Sequence, residues 1–261
     1  MKPGDEGNLD GMVALVTGGA LRIGRELALA IAGRGARVAI HYGNSAEAAA
    51  KTVTAIQALG AEAAAFPADL REHSRTEELV ERVAERFGKV DLLVNSAAVF
   101  APARLSETTE ALWDEQFAVN LKAPFFLARA FARHVGKDRP GQIVNIADWR
   151  GLRPDPGFLA YSLTKAGIVA MTKGLAVALA PNIRVNAIAP GAILPPHDRD
   201  EGYLEEIGKR TPLRRHGSPD EVAAALLYLV SAGFVTGQVI FVDGGEHLGG
   251  SYERNDMTGG K

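Results

Sequence analysis

Met12-Val-Ala-Leu-Val-Thr-Gly-Gly-Ala-Leu-Arg-Ile-Gly24 joins an apolar run directly to a cluster of glycines. Residues 12–17 are short, apolar throughout and stopped at once by Gly18, which predicts a buried first strand. A helical pattern over residues 22–34 follows and meets its stop at Gly35, where a missing Cβ permits a left-handed turn. Strand, glycine turn and helix in that order suit a dinucleotide pyrophosphate. The glycines let the backbone come close, and the helix start adds free N–H groups and the positive end of its dipole. Gly18, Arg22, Ile23 and Gly24 are therefore candidate cofactor-binding residues, with a plain tight turn as the alternative. Arg22 is the odd member, because a helix start disfavours positive charge. Its guanidinium is expected to face cofactor phosphate or an electron-rich substrate.

The same alternation runs outward along the chain. Residues 37–42, 61–66, 90–95, 142–147, 183–189 and 238–242 read as further strands. Between them, Ser45 opens an alanine-rich helix closed by Gly60, and Ser74 with Glu77 forms a capping box. Helices are expected near 107–120, 123–136 and 159–179, and Ser218-Pro-Asp-Glu221 opens the last one, through residue 229. About seven strands and six or more helices, with no linker or repeat, predict one α/β doubly wound domain over residues 1–261. Its sheet is parallel, with helices on both faces. Residues 192–215, rich in proline and charge, are expected to form an irregular substrate loop. The glycine-rich, polar residues 246–261 read as a frayed end.

Composition narrows the function classes. The 261 residues are 47% hydrophobic, and 29 basic against 31 acidic side chains leave a net charge of -2. That balance argues against a nucleic-acid partner, which needs clustered Lys and Arg. Cysteine is absent, which excludes disulfides and thiolate chemistry and suits a reducing compartment. No run approaches the roughly 18 apolar residues of a membrane span, and residues 1–10 carry no apolar signal region. A cytoplasmic protein with a small-molecule substrate is expected. The six histidines form no H-x-x-H or H-E-x-x-H pattern, so no metal site is expected.

Two places bear on cofactor and chemistry. After the second strand, His41-Tyr-Gly-Asn-Ser45 holds no acid to bind a ribose 2′-hydroxyl and repel a 2′-phosphate. NADPH is therefore favoured over NADH, with His41, Tyr42, Asn44 and Ser45 as candidate contacts. Asp69, followed by Leu70, is placed for an adenine edge, or else caps a helix. Tyr161 and Lys165 stand four apart at the start of the long helix and share a face. A free phenol has a pKa of about 10. A neighbouring ammonium is expected to lower it, making Tyr161 a general acid/base, while Lys165 also holds the nicotinamide ribose.

The glycine turn, Asn95-Ser-Ala-Ala98, Asn120, Tyr161 with Lys165, and Pro190-Gly191 together resemble the short-chain dehydrogenase/reductase family in order and spacing, over residues 12–245. That resemblance implies a Rossmann-type domain, a homotetramer, and hydride transfer to C=O or C=N. It places Asn95, Ser96, Ala97, Pro190, Gly191 and Ile193 beside the cofactor. Asn120 would kink its helix and anchor a water linking Lys165 to solvent, or else be a polar residue satisfied inside a helix.

Most of that family has a serine about 13 positions before the tyrosine; here the residue is Asp148. A carboxylate beside a carbonyl that is becoming an alkoxide would raise the barrier. Reduction of C=N instead needs a proton delivered to nitrogen and acceptors for N–H groups, which Asp148 paired with Tyr161 supplies; its alternative is a loop cap. Arg22, His41-Tyr42 with Ser45, Asp148, and Phe100 as a ring to stack on the substrate resemble the pteridine reductase branch. Residues 193–199 are similar to the substrate loop of its bacterial dihydromonapterin/dihydrofolate reductases. Asn44 departs from a usual arginine. Pro195 replaces a usual threonine, which leaves the carboxamide to backbone near Ala192 and Ile193. A carbonyl or 3-oxoacyl reductase with a divergent acid at 148, and a dinucleotide-binding regulator without turnover, are the competing readings.

Overall fold

Seven parallel strands carry the fold of the computed structural model, which describes residues 8–196 and 201–249. They are β1 Val13–Thr17, β2 Arg37–Tyr42, β3 Ala63–Pro67, β4 Leu92–Asn95, β5 Gly141–Ile146, β6 Ile183–Pro190 and β7 Val239–Val242. Their order across the sheet is β3-β2-β1-β4-β5-β6-β7. The helices are α1 Arg22–Ala32, α2 Ala46–Ala58, α3 His73–Phe87, α4 Glu110–Phe117, α5 Ala123–Val135, α6 Leu159–Ala178, α7 Glu201–Gly208 and α8 Pro219–Ser231.

Successive strand side chains point to opposite faces, and both faces are covered. Ala14 and Val16 pack with Leu27, Ile31 and Leu226 in one core. Val13 and Leu15 join Leu79, Val83, Phe131 and Val185 in the other. A strand buried on both sides needs an unbroken apolar run, which is what β1 shows. Strand order reverses at β1, which pairs with β2 on one side and β4 on the other. A crevice opens at such a switch point, beyond the carboxyl ends of the strands. Register keeps those ends level, with Thr17 opposite Asn95 and Asn95 opposite Asn145. The turns after β1, β4 and β5 therefore meet at one place.

Four expectations change. The helix α3 starts at His73 with Glu72 at its N-cap, so Ser74 lies within its first turn. Glu77 does not cap it, because two guanidiniums of α5 claim its carboxylate: Arg129 Nη2 at 2.6 Å and Arg133 Nη2 at 3.3 Å. Ser218 does open α8 as expected, its backbone N–H donating to the Glu221 carboxylate at 2.9 Å. The two helices expected over 107–136 are one path, α4 running into α5 through a π-helical turn, Ala118–Lys122, that contains Asn120. The segment 192–215 is not irregular throughout, since it carries α7. The expected frayed end begins folded, with Glu246–Leu248 forming a short 3-10 turn; residues 250–261 lie outside the described residues. No helix among the described residues is long and apolar enough to cross a membrane.

Candidate active site

The glycine turn is built by close approach. Gly18 has φ +63°, and a Cβ there would lie 2.8 Å from Ala97 Cα. At Gly24 a Cβ would lie 2.2 Å from the Gly18 carbonyl oxygen. Thr17 Oγ1 accepts from the backbone N–H groups of Ser96 (3.0 Å) and Ala97 (3.1 Å), tying the end of β1 to the turn after β4. Leu21, at the N-cap of α1, provides no side-chain acceptor. The first-turn N–H groups of α1 thus have no side-chain cap, as a phosphate cradle requires. Gly24→Ala forces backbone apart and is expected to cost about 1–3 kcal/mol. A fall of several degrees in Tm together with weakened NADPH binding checks this; an unchanged Tm would speak against so tight a turn.

His41 sits beneath the turn. Its Nδ1 accepts from Gly18 N–H at 3.2 Å and its Nε2 lies 3.0 Å from the Ala68 carbonyl. That pairing requires a neutral ring protonated at Nε2, and burial lowers its pKa accordingly. His41 therefore fastens β2 and β3 to the turn. Arg22 adopts φ +54°, a left-handed conformation that glycine takes freely and other residues rarely adopt. Its Nη2 donates to the Pro195 carbonyl at 2.8 Å. The expected phosphate-facing cation thus bridges the glycine turn to the segment after β6.

Gly18, Arg22, Ile23, Gly24, His41, Tyr42, Asn44, Ser45, Asp69, Leu70, Ser96, Ala97, Pro190, Gly191 and Ile193 all line one cavity of about 1080 Å³. That volume is at the upper end of ligand pockets. Asp69 is held by Arg71, whose Nη2 lies 2.6 Å away and whose backbone N–H donates at 2.9 Å. These hydrogen bonds hold its carboxyl below the usual range. Arg71, absent from the sequence-based candidates, is the cation at this end of the cavity. Asn95 is not part of the lining. Its Nδ2 donates to Asn145 Oδ1 at 2.8 Å, and Asn145 Nδ2 donates to Thr172 Oγ1 at 2.9 Å. This buried chain braces β4, β5 and α6 behind the site, which corrects the expected cofactor contact.

The reactive groups converge at the other end. Tyr161 Oη donates to Asp148 Oδ2 at 3.1 Å. Asp148 Oδ1 accepts from the Arg150 backbone N–H at 2.8 Å, so the residue caps its loop and pairs with the phenol at once. Lys165 Nζ donates to the Ile146 carbonyl at 2.8 Å and lies 5.5 Å from the Tyr161 ring centroid. All three share the cavity wall. The electrostatics differ from expectation. Burial first, then the Asp148 carboxylate, pushes the Tyr161 phenol well above 10.0 rather than below it. Burial also raises Asp148, against the pull of Arg150, and lowers Lys165 to about 8. The phenol therefore keeps its proton at neutral pH, as a donor must.

Asn120 lies behind the cavity. Its Oδ1 accepts from Val99 N–H at 2.7 Å and its Nδ2 donates to the Val99 carbonyl at 2.9 Å. A π-turn frees backbone geometry at functional positions, and here it aims Asn120 at the segment bearing Phe100. The Phe100 ring is 42% exposed, so it is not core. It stacks on Phe158 at 4.6 Å and meets Tyr161 edge-on at 4.8 Å. The Arg150 guanidinium lies over Trp149, Phe158 and Phe100, at 4.6, 5.1 and 5.7 Å. Phe158, Arg150 and Glu246 join the lining. Glu246 had no local sequence signal, since it lies in the segment that reads as a frayed end.

Known proteins agree with this architecture. A family model described as enoyl-(acyl carrier protein) reductase matches residues 19–247. The crystal structure of FolM alternative dihydrofolate reductase 1 from Brucella canis, complexed with NADP, is 38% identical with a TM-score of 0.85. It covers 95% of this chain and 98% of its own. The counterpart from Brucella suis, also in complex with NADP, is 37% identical with a TM-score of 0.87, over 92% and 96%. The 3-oxoacyl-[acyl-carrier-protein] reductase of Thermotoga maritima is 38% identical over 242 residues, 91% of this chain and 98% of that protein. With the glycine turn, the tyrosine–lysine pair and the strand order all in place, the chain belongs to the short-chain dehydrogenase/reductase family of oxidoreductases.

Proposed function

We propose that this oxidoreductase uses NADPH to reduce a C=N bond of a pterin-type substrate, of the dihydropteridine, dihydrofolate or dihydromonapterin class. The observation that carries the reading is the Tyr161–Asp148 hydrogen bond, at the position where carbonyl-reducing relatives are expected to have serine. When bound, NADPH supplies the hydride. The uncapped start of α1 with Gly18 and Gly24 receives its pyrophosphate, and Tyr42, Asn44 and Ser45 face its adenosine ribose. Lys165 holds the nicotinamide ribose. Tyr161 delivers a proton to the ring nitrogen, and Asp148, whose burial favours its protonated form, resupplies the phenol. Arg22 and Phe100 border the substrate. The Brucella FolM structures support the substrate class. A homotetramer belongs to the same reading, supported by the exposed Trp113 and Phe125 on α4 and α5; light scattering of the purified chain checks it.

A second reading, 3-oxoacyl reduction, is favoured by the 38% identity to the Thermotoga enzyme. NADPH oxidation with dihydrobiopterin or dihydrofolate, against an acetoacetyl thioester and with NADH as control, separates the two. Turnover of the pterins with NADPH is expected, and Asp148→Ala should lower it about 10²–10⁴-fold. Saturable thioester reduction without pterin turnover would sink the pterin assignment. Pterin turnover untouched by Asp148→Ala would sink the role of the carboxyl.

A further inference from the structure

Near Asp148 the cavity wall holds a further carboxyl group, that of Glu246, which the proton-delivery system does not use. Glu246 opens the short 3-10 turn Glu246–Leu248 after β7. That turn is pinned by Asp243, whose Oδ1 accepts from Gly245 N–H at 3.0 Å and whose Oδ2 accepts from His247 N–H at 2.7 Å. Across from it, Gly191 leaves the space the carboxyl occupies. A Cβ at Gly191 would lie 2.8 Å from Glu246 Oε2 and 2.7 Å from Asp243 Cα. The absence of a side chain at 191 is thus what admits Glu246 to the cavity wall, beside Asp148 and Arg150.

Glu246 Oε2 is buried and accepts no hydrogen bond within the described residues. A buried acceptor left without a donor costs about 1–3 kcal/mol, so a fold retains one where a ligand completes it. Burial pushes the carboxyl up to about 7, Arg150 opposing and Asp148 adding to the rise. Geometrically, an orphaned oxygen acceptor is completed by an N–H donor, and a donor-rich edge suits it better than an acyl chain.

We infer that Glu246 is a specificity-determining residue whose carboxyl group receives the N–H donors of an aminopyrimidinone edge on the substrate. The inference rests on the pterin reading. A pterin presents an amino group and an adjacent ring N–H along one edge, from which the orphaned Oε2 can accept while a backbone hydrogen bond at Ala192 holds the carboxyl in place. An acyl thioester presents neither. A site built to hydrogen-bond a substrate N–H rejects the analogue that lacks it, because its own polar group is then left unpaired.

The test uses the full chain with NADPH and two substrates, dihydrobiopterin and its analogue with methyl in place of the ring amino group. The wild-type enzyme should show a KM at least about tenfold higher for the analogue. Glu246→Gln and Glu246→Ala should raise KM for dihydrobiopterin about tenfold or more, change kcat far less, raise the KM of the analogue (which keeps only the ring N–H) by a smaller factor, and leave the NADPH affinity unaltered. Equal effects on both substrates would assign Glu246 a merely structural role and overturn the inference. So would a wild-type enzyme that does not discriminate between them, a result that needs no folded variant. Pterin turnover that survives both substitutions unchanged removes this inference alone. Failure of the wild-type enzyme to turn over or bind either pterin removes the substrate reading and this inference together.

Discussion

Tyr161→Phe lowers kcat/KM for the preferred substrate by about 10³-fold, within the range for loss of a positioned proton donor, and leaves NADPH affinity close to the wild-type value. The substitution removes one oxygen. The ring that meets Phe100 edge-on at 4.8 Å remains, so packing survives and the lost term is the phenol's proton. Burial holds that proton on the phenol at neutral pH, which makes Tyr161 a donor throughout the working range. In the variant, Asp148 remains in the cavity wall with a raised pKa of its own. The residual rate should therefore fall as pH rises and that carboxyl ionises. Steady-state kinetics across pH checks both statements. A rate within tenfold of wild type, or a residual rate that climbs with pH, would remove Tyr161 from the proton path.

Replacing Lys165 should move stability and activity in opposite directions. The residue is 3% exposed, and burial lowers its pKa from 10.5 to about 8. The unfolded chain keeps that proton up to about pH 10.4, whereas the folded chain releases it above about 8. Between those values the unfolded state binds more protons, so the cofactor-free chain grows more stable as pH rises through that window. Below pH 8 the buried ammonium is a cost of about 3 kcal/mol. Lys165→Met removes it and gives up the hydrogen bond to the Ile146 carbonyl, worth about 1 kcal/mol. A net gain of about 2 kcal/mol follows at neutral pH, or roughly 4–8 °C in Tm at about 2–4 °C per kcal/mol for a domain of this size. On the proposed role of Lys165 as the ribose anchor, activity falls by about 10²-fold or more, and Asp148 loses its nearby cation. Thermal melts at neutral pH and at pH above 9, paired with turnover, decide the matter. A variant less stable than wild type at neutral pH would contradict the account.

Part of this was legible along the chain because it depends on neighbours in sequence. The strand Arg37–Tyr42 and the start of α1 after the glycine turn follow from apolar runs and breakers within a few residues. Ser218 and Glu221 are three apart and keep their capping geometry even though Arg215, six residues before Glu221, also pairs with the carboxylate at 2.6 Å. Ser74 and Glu77 have the same spacing, yet Arg129 and Arg133, more than fifty residues away, take the carboxylate instead. The pattern was alike and the competing partner came from another helix. Asn95 shows the same limit. Its motif marks a cofactor loop, but a partner on β5 turns its amide into the sheet.

From the residues alone came the doubly wound fold, the glycine turn and the tyrosine–lysine pair. Each depends on periodicity, a missing Cβ or a fixed helical spacing, whereas the weight given to Asp148 came from the family resemblance. Tertiary structure alone decided that the Tyr161 phenol is raised and not lowered, that Arg22 reaches the Pro195 carbonyl, and that Glu246 enters the cavity through the space left by Gly191. The reason is physical. Desolvation and orphaned acceptors are properties of what surrounds an atom, and those surroundings are brought together from separate segments of the chain only when the sheet closes.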